Sequence, residues 1–167
     1  MTNSDIPDSL SVRRLREDDW AALRTARLAA LAEAPYAFGS TVAREQQFTE
    51  ENWRDRTRTG AVFGAWSGAE IVGLATGRED PGEGWGLYGM WVHPDLRGTR
   101  TASALADAVC AHARALGGDR ISLWVTEVNE RAGAFYARMG FAPTGERQLV
   151  RPEEPDHWEL QLARDLR

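Results

Sequence analysis

The sequence predicts one α/β domain of the α+β kind: a mixed, mostly antiparallel sheet of about seven strands flanked by about four helices. Three observations predict it. A length of 167 residues suits a single domain with a sizeable core. Short apolar runs separated by turn signals, such as those around Ser67-Gly68, read as antiparallel strands. From Trp85 onward the order becomes strand, helix, strand, a crossover that sets two strands parallel.

Met1 to Leu10 is polar, contains Pro7 and reads as a loose leader; residues 11–167 form the domain. Ser11 to Leu15 is a short strand. A helix follows with Asp18 as its N-cap. Trp20, Leu23, Leu28 and Leu31 fall on one broad face of it, and Pro35 ends it. A second, more polar helix is expected over about Val42 to Arg56. Ala61–Trp66 and Ile71–Thr76 form a hairpin, and Trp85–Val92 is the third strand of that group. The helix from Thr99 to Leu116 carries Ala102, Leu105, Val109, Ala113 and Leu116 on its buried stripe, and Gly117-Gly118 closes it. In Arg120–Thr126, Ile121, Leu123 and Val125 alternate with Ser122, Trp124 and Thr126, which is the period of a strand. A short helix over Asn129–Met139 stops at Gly140. Strands over Phe141–Leu149 and His157–Ala163 complete the chain.

Composition narrows the function. The formal net charge is -5, which argues against nucleic acid and against an anionic membrane as partners. No apolar run reaches membrane-spanning length and the N-terminus shows no signal pattern, so the expected location is cytoplasmic. Lysine is absent, so the chain offers no lysine side chain for acylation. Cys110, the single cysteine, lies mid-helix among alanines and reads as a buried structural thiol. His93, His112 and His157 stand too far apart in sequence to suggest a metal site, so no metal is expected.

Two segments carry the chemistry. In Trp91-Val92-His93-Pro94-Asp95-Leu96-Arg97-Gly98-Thr99-Arg100-Thr101-Ala102 a strand ends at a tight turn and a helix begins. A helix start presents unpaired N–H groups and a positive dipole end, suited to a pyrophosphate. Arg97 and Arg100 add charge, and Gly98 lets the main chain approach closely. In Asn129-Glu130-Arg131-Ala132-Gly133-Ala134-Phe135-Tyr136, residues Asn129, Ala132, Gly133 and Tyr136 share one helix face. An amide and a phenol then stand at the two ends of a shallow groove of small residues. Asn129 also suits an N-cap, and Tyr136 also suits the core.

Together with Arg120–Thr126, these segments resemble the acetyl-CoA-binding core of the GNAT superfamily of N-acetyltransferases. The resemblance spans about Leu87 to Gly145, and Asn129…Ala132…Phe135-Tyr136…Met139-Gly140-Phe141 is close to that family's usual ending. Ala34-Pro35-Tyr36-Ala37-Phe38-Gly39-Ser40-Thr41 and Phe48…Trp53 extend it over most of the chain. The family's phosphate motif is Arg/Gln-x-x-Gly-x-Gly/Ala. Arg97 and Ala102 match its ends, while Arg100 stands at the middle glycine, where it either pairs with a phosphate or obstructs it.

The resemblance implies a splayed strand pair, Trp85–Val92 and Arg120–Thr126, that holds acetyl-CoA as the acetyl donor. Main-chain groups of Met90, Trp91 and Val92 would hold the pantetheine arm and polarise the thioester. Arg97, Gly98, Thr99, Arg100, Thr101 and Ala102 would hold the phosphates, with Asn129, Ala132, Phe135 and Tyr136 along the groove. An amine would attack directly, and Tyr136 would protonate the departing thiolate. Glu83, Glu127 or water would serve as base. Phe38, Ser40, Tyr88, Trp91 and Trp124 would line the acceptor pocket. The acceptor stays open between a small-molecule amine and a protein N-terminus, and the resemblance also admits a homodimer. A domain that binds acyl-CoA without turnover, as a sensor or interaction module, is the alternative. A binder of another nucleotide phosphate is disfavoured, because no Walker or GxGxxG run is present.

Overall fold

The computed structural model describes residues 10–167. The expected leader falls outside the described residues except for Leu10, which opens the first strand. In chain order the elements are β1 (Leu10–Arg14), α1 (Trp20–Glu33), α2 (Val42–Glu45), α3 (Glu50–Thr59), β2 (Ala61–Ser67), β3 (Glu70–Asp80), β4 (Gly84–Val92), α4 (Thr101–Ala115), β5 (Arg120–Thr126), α5 (Glu130–Arg138), β6 (Ala142–Leu149) and β7 (Trp158–Asp165). The strands form one sheet in the order β1-β2-β3-β4-β5-β7-β6. Only β4 and β5 run parallel; every other pair is antiparallel. The mixed, mostly antiparallel seven-stranded domain is therefore observed.

Several local details differ from the expectation. The second helix is two helices, α2 and α3, so the described residues hold five α-helices instead of about four. The break has a chemical cause at Thr49. Its hydroxyl accepts the Asn52 N–H at 3.2 Å, and the Asn52 side chain accepts the Thr49 N–H at 3.0 Å. This reciprocal cap starts a new helix where periodicity alone suggests continuation. Asp18 does not cap α1. Asp19 precedes the helix and accepts the Arg16 N–H at 2.7 Å, while Asp18 reaches Arg54 at 3.1 Å. In α4 the buried stripe is Leu105, Ala106, Val109, Cys110 and Ala113. Ala102 is half-buried, and Leu116 is exposed because it lies past the helix end. There the Gly117 and Gly118 N–H groups close the last turn on Arg114 and Ala113.

Two layers of helix cover the sheet. α4 packs on β2, β3 and β4, and its Leu105, Val109, Cys110 and Ala113 share one cluster with Leu87, Val92, Ile121, Leu123, Tyr136 and Phe141. Each of Leu105 and Val109, fully buried, contributes about 1.5–3 kcal/mol of apolar transfer energy. On the other side Leu23 and Ala26 of α1, Trp53 of α3, and Val62, Ile71 and Leu74 of the sheet form a second cluster. Cys110 belongs to the α4 cluster as a buried free thiol, and burial pushes its pKa up.

Strand β4 carries an irregularity that positions everything below. Its register against β3 pairs Thr76 with Tyr88 and Leu74 with Trp91, so three steps on β4 answer two on β3. Gly89 sits in this bulge with φ +59°, the left-handed region that glycine reaches without cost. The extra residue reverses the alternation of side chains. Trp85 and Leu87 pack in the α4 cluster; beyond the bulge Val92 rejoins that cluster while Trp91 packs with Ala30, Leu31 and Phe38 on the α1 side. Strict period two would have put Trp91 on the α4 side with Leu87.

Candidate functional site

β4 and β5 pair only at Trp85–Ile121 and Gly86–Ser122. Beyond those two positions they diverge. The opening is a cavity of about 1240 Å³ whose walls include Leu87 to Val92 on one side and Trp124, Val125 and Thr126 on the other. The start of α4 and the groove face of α5 close one end, and α1, α2 and α3 border the other.

At the α4 end, Arg97, Gly98, Thr99, Arg100 and Ala102 line the cavity, joined by Ser103. Gly98 has φ +83°, and a Cβ there would meet nothing within 4 Å, so its main chain is open to a ligand. Within the described residues the N–H groups of Gly98, Ala102 and Ser103 have no partner, whereas those of Arg97 and Thr99 are bonded to Pro94 and Leu96. Thr101 departs from its predicted role. It is fully buried and its N–H is turned onto the Thr99 hydroxyl at 3.3 Å, so it faces inward instead of lining the cavity. Arg97 lines the cavity, and its guanidinium is also engaged within the protein. Its Nη2 donates to Glu33 at 2.5 Å and its Nε to the Val92 carbonyl at 3.1 Å. Hydrogen bonding to Arg97 holds Glu33 below the usual carboxylate range, despite burial, and the Trp91 indole N–H adds a bond of 3.0 Å. Arg97 thus ties the loop to α1. His93 caps the turn Pro94–Leu96 through its Nδ1, which accepts the Asp95 N–H at 3.3 Å, and is a loop residue.

On α5, Asn129 caps the helix by accepting the Ala132 N–H at 3.2 Å, and Asn129, Ala132, Phe135 and Tyr136 all line the cavity. A Cβ on Gly133 would meet nothing within 4 Å. Tyr136 is buried, 7% exposed, between the rings of Phe135 and Phe141 at centroid distances of 5.2 and 5.7 Å. Its hydroxyl makes no hydrogen bond to a described residue, and burial alone pushes its pKa far up. The phenol is therefore protonated at any physiological pH.

At the opposite end the expected acceptor residues Phe38, Ser40, Tyr88, Trp91 and Trp124 all line the same cavity. Burial, then the Asp80 carboxylate that its hydroxyl bonds, push the Tyr88 pKa up to about 12. Among the described residues the buried hydroxyls of Ser40 and Thr126 find no partner, a cost of about 1–3 kcal/mol each that a ligand could relieve.

Neither predicted base lines the cavity. Glu83 lies in the turn between β3 and β4, and its N–H bonds the Asp80 carbonyl. Glu127 lies just past β5, pointing at Arg147 with bonds of 2.8 and 3.1 Å that hold its pKa down. Sequence reasoning missed the carboxylates that do line it. Glu45 is 1% exposed, bonded twice by Arg27 at 3.0 and 3.1 Å and paired with Arg56 at 3.1 Å. Burial opposes its ionisation, yet the two arginines outweigh burial and hold its pKa below the ordinary value. Glu159, opposite Thr126 on β7, is half-buried and accepts the Gln148 amide N–H at 2.7 Å. Burial pushes its pKa up. A charged residue inside an alternating strand was the one signal for Glu159; Glu45 had none, since its partners come from α1 and α3. Among the described residues no three His, Cys, Asp or Glu side chains gather as metal ligands, and no helix is long and apolar enough to cross a membrane.

A sheet opened between two parallel strands, with N–H groups at one helix start that have no partner among the described residues, has the shape and polarity to suit a long, narrow, anionic ligand. A family model described as the acetyltransferase (GNAT) family matches residues 16–141. A mycothiol acetyltransferase of Geodermatophilus obscurus is 33% identical over 145 residues, which cover 81% of this chain and 46% of that protein. The chain spans about half the length of the curated relatives it matches. Among solved structures, the acetyltransferase yncA of Salmonella typhimurium with its cofactor acetyl-CoA superposes with a TM-score of 0.74 at 16% identity, covering 95% of this chain and 94% of that one. PaiA N-acetyltransferase of Thermoplasma acidophilum in complex with coenzyme A gives 0.68 at 13% identity, covering 94% and 99%. The chain belongs to the acetyltransferase (GNAT) family.

Proposed function

We propose that the protein transfers the acetyl group of acetyl-CoA directly to the amine of a small molecule. The observation that carries this reading is the β4–β5 opening, paired at two positions only, with the unpartnered Tyr136 hydroxyl in its wall. The orphaned N–H groups of Gly98, Ala102 and Ser103 fit the donor's phosphates. The unpaired β4 edge at Met90, Trp91 and Val92 fits an extended pantetheine arm, and an N–H there polarises the thioester carbonyl.

The amine nitrogen bonds to the carbonyl carbon and the carbon–sulfur bond breaks. Tyr136 gives its proton to the leaving sulfur, since a buried, protonated phenol is a competent acid. Glu159 takes the proton from the amine. Its raised pKa makes it a better base than Glu45, which two arginines hold ionised and weakly basic. The names of the curated relatives support a small-molecule acceptor. The single buried thiol Cys110 suits a reducing compartment, so we place the reaction in the cytoplasm.

The test is thiol release from acetyl-CoA across a panel of small amines, beside calorimetry with CoA. Turnover with at least one amine, lowered in Tyr136→Phe while CoA affinity is kept, is the expected result. Tight CoA binding with no release on any amine would instead assign the domain to acyl-CoA sensing.

A further inference from the structure

Building on that reading, we infer that the acceptor amine also carries an anionic group, a carboxylate or phosphoryl, received by Arg27, Arg44 and Arg56. These three side chains come from α1, α2 and α3 and line the cavity beside Phe38 and Tyr88. Arg27 and Arg56 share one buried counter-ion. Glu45 bonds Arg27 at 3.0 and 3.1 Å and Arg56 at 3.1 Å. Among the described residues no carboxylate pairs with Arg44. Three cations around Glu45, with Glu159 the other carboxylate on the cavity wall at this end, leave this corner positive in a chain whose overall charge is negative.

The excess is felt inside the cluster. Burial lowers the Arg56 pKa, and the charges of Arg27 and Arg44 press the same way against the opposing pull of Glu45. Another cavity arginine at this end, Arg78, is matched by Asp80. A cavity wall with excess guanidinium charge, Arg27 and Arg56 half-buried and Arg44 exposed beside them, is a receptor for planar or tetrahedral oxyanions.

Position ties the anion to the reaction. The Arg27 Nη1 lies 3.5 Å from where a Cβ on Gly89 would stand, so the cluster borders the bulge of β4. The Arg27 guanidinium also lies over the Phe38 ring, 4.8 Å from its centroid, on the acceptor side of the opening. An acceptor held there by its anionic group presents a nearby amine to the opening. The fitting class is small amines whose carboxylate or phosphoryl group lies close to the nitrogen, such as amino acids and phosphorylated amino alcohols or amino sugars.

The test uses matched pairs on the whole protein: amino acids beside their carboxamides, and phosphorylated amino alcohols and amino sugars beside the unphosphorylated forms. Calorimetry with CoA present reads binding, and thiol release from acetyl-CoA reads turnover. The anionic member of at least one pair should bind about tenfold or more tightly than its neutral match. That gap should shrink in Arg44→Ala and shrink further in Arg44→Ala/Arg56→Ala. Arg54→Ala, which removes one positive charge paired outside the cavity with Glu50 and Asp18, should leave it intact. The inference is overturned if neutral members bind equally well, if no member of any pair binds, or if the gap survives both variants. Anionic preference without turnover would sink acetyl transfer alone, and turnover without preference would sink only the anion site.

Discussion

The two ends of the cavity are built by different means. The end proposed for the donor is made of main chain: the β4 edge beyond its two pairings with β5, and the first N–H groups of α4. Its residues are close in sequence, Met90 to Ser103 and Asn129 to Tyr136. The end proposed for the acceptor is made of side chains, with Arg27, Glu45, Arg56 and Glu159 converging from four elements. Main-chain donors tolerate changes of side chain provided φ and ψ can be kept. A side-chain cluster changes its ligand with each substitution. One chain can thus keep a common donor and select a particular acceptor.

Substitutions can break or sharpen this contrast. Tyr136→Phe should have the largest effect, lowering kcat by about 10²–10⁴-fold with little change in KM for acetyl-CoA. Unchanged turnover would return Tyr136 to the core. Glu159→Gln should lower kcat by about 10²-fold and remove the acidic limb of the pH–rate profile. That limb reports ionisation of Glu159, so the rate rises with pH through a pKa above the ordinary carboxylate value, because burial disfavours the charged form. A limb that persists in the variant assigns the proton elsewhere.

Glu45→Ala should cost up to about 3 kcal/mol in urea unfolding, the low end for a broken buried pair, since Arg27 and Arg56 keep some access to water. The native protein should show the matching pH dependence. The Glu45 pKa is depressed on folding, so its contribution is complete above the unfolded value near 4.5 and is lost as pH falls through the lower folded value. Gly89→Ala should destabilise by about 1–2 kcal/mol, because alanine is strained at φ +59°, and should raise KM for acetyl-CoA if the bulge positions the β4 edge. Glu127→Gln should change neither kcat nor stability measurably, its pair with Arg147 lying in water. A fall in kcat there would restore Glu127 as a base and blur the distinction between the two ends.

Legibility in the sequence follows the same division. The donor end was readable because contiguous segments carry it: the turn through Arg97–Ala102, and the spacing of Asn129, Ala132 and Tyr136 on one helix face. Even there, Thr101 turns inward and Arg97 binds Glu33, a partner 64 positions away. At the acceptor end, aromatic residues such as Phe38 and Trp91 could be named as candidates, while Glu45 could not. An acidic residue in a short polar helix reads as solvated until Arg27 and Arg56 are brought to it.

By itself the sequence determined the strands, most helix limits and the family, because hydrophobic period, caps and turn residues act over a few neighbouring positions. It also determined that one helix start would offer unpaired N–H groups. The tertiary structure alone decided that β7 lies between β5 and β6, that a bulge at Gly89 turns Trp91 away from Leu87, and which carboxylates enter the cavity. Those outcomes depend on contacts between distant segments, and burial and charge act on a side chain only once its neighbours have arrived.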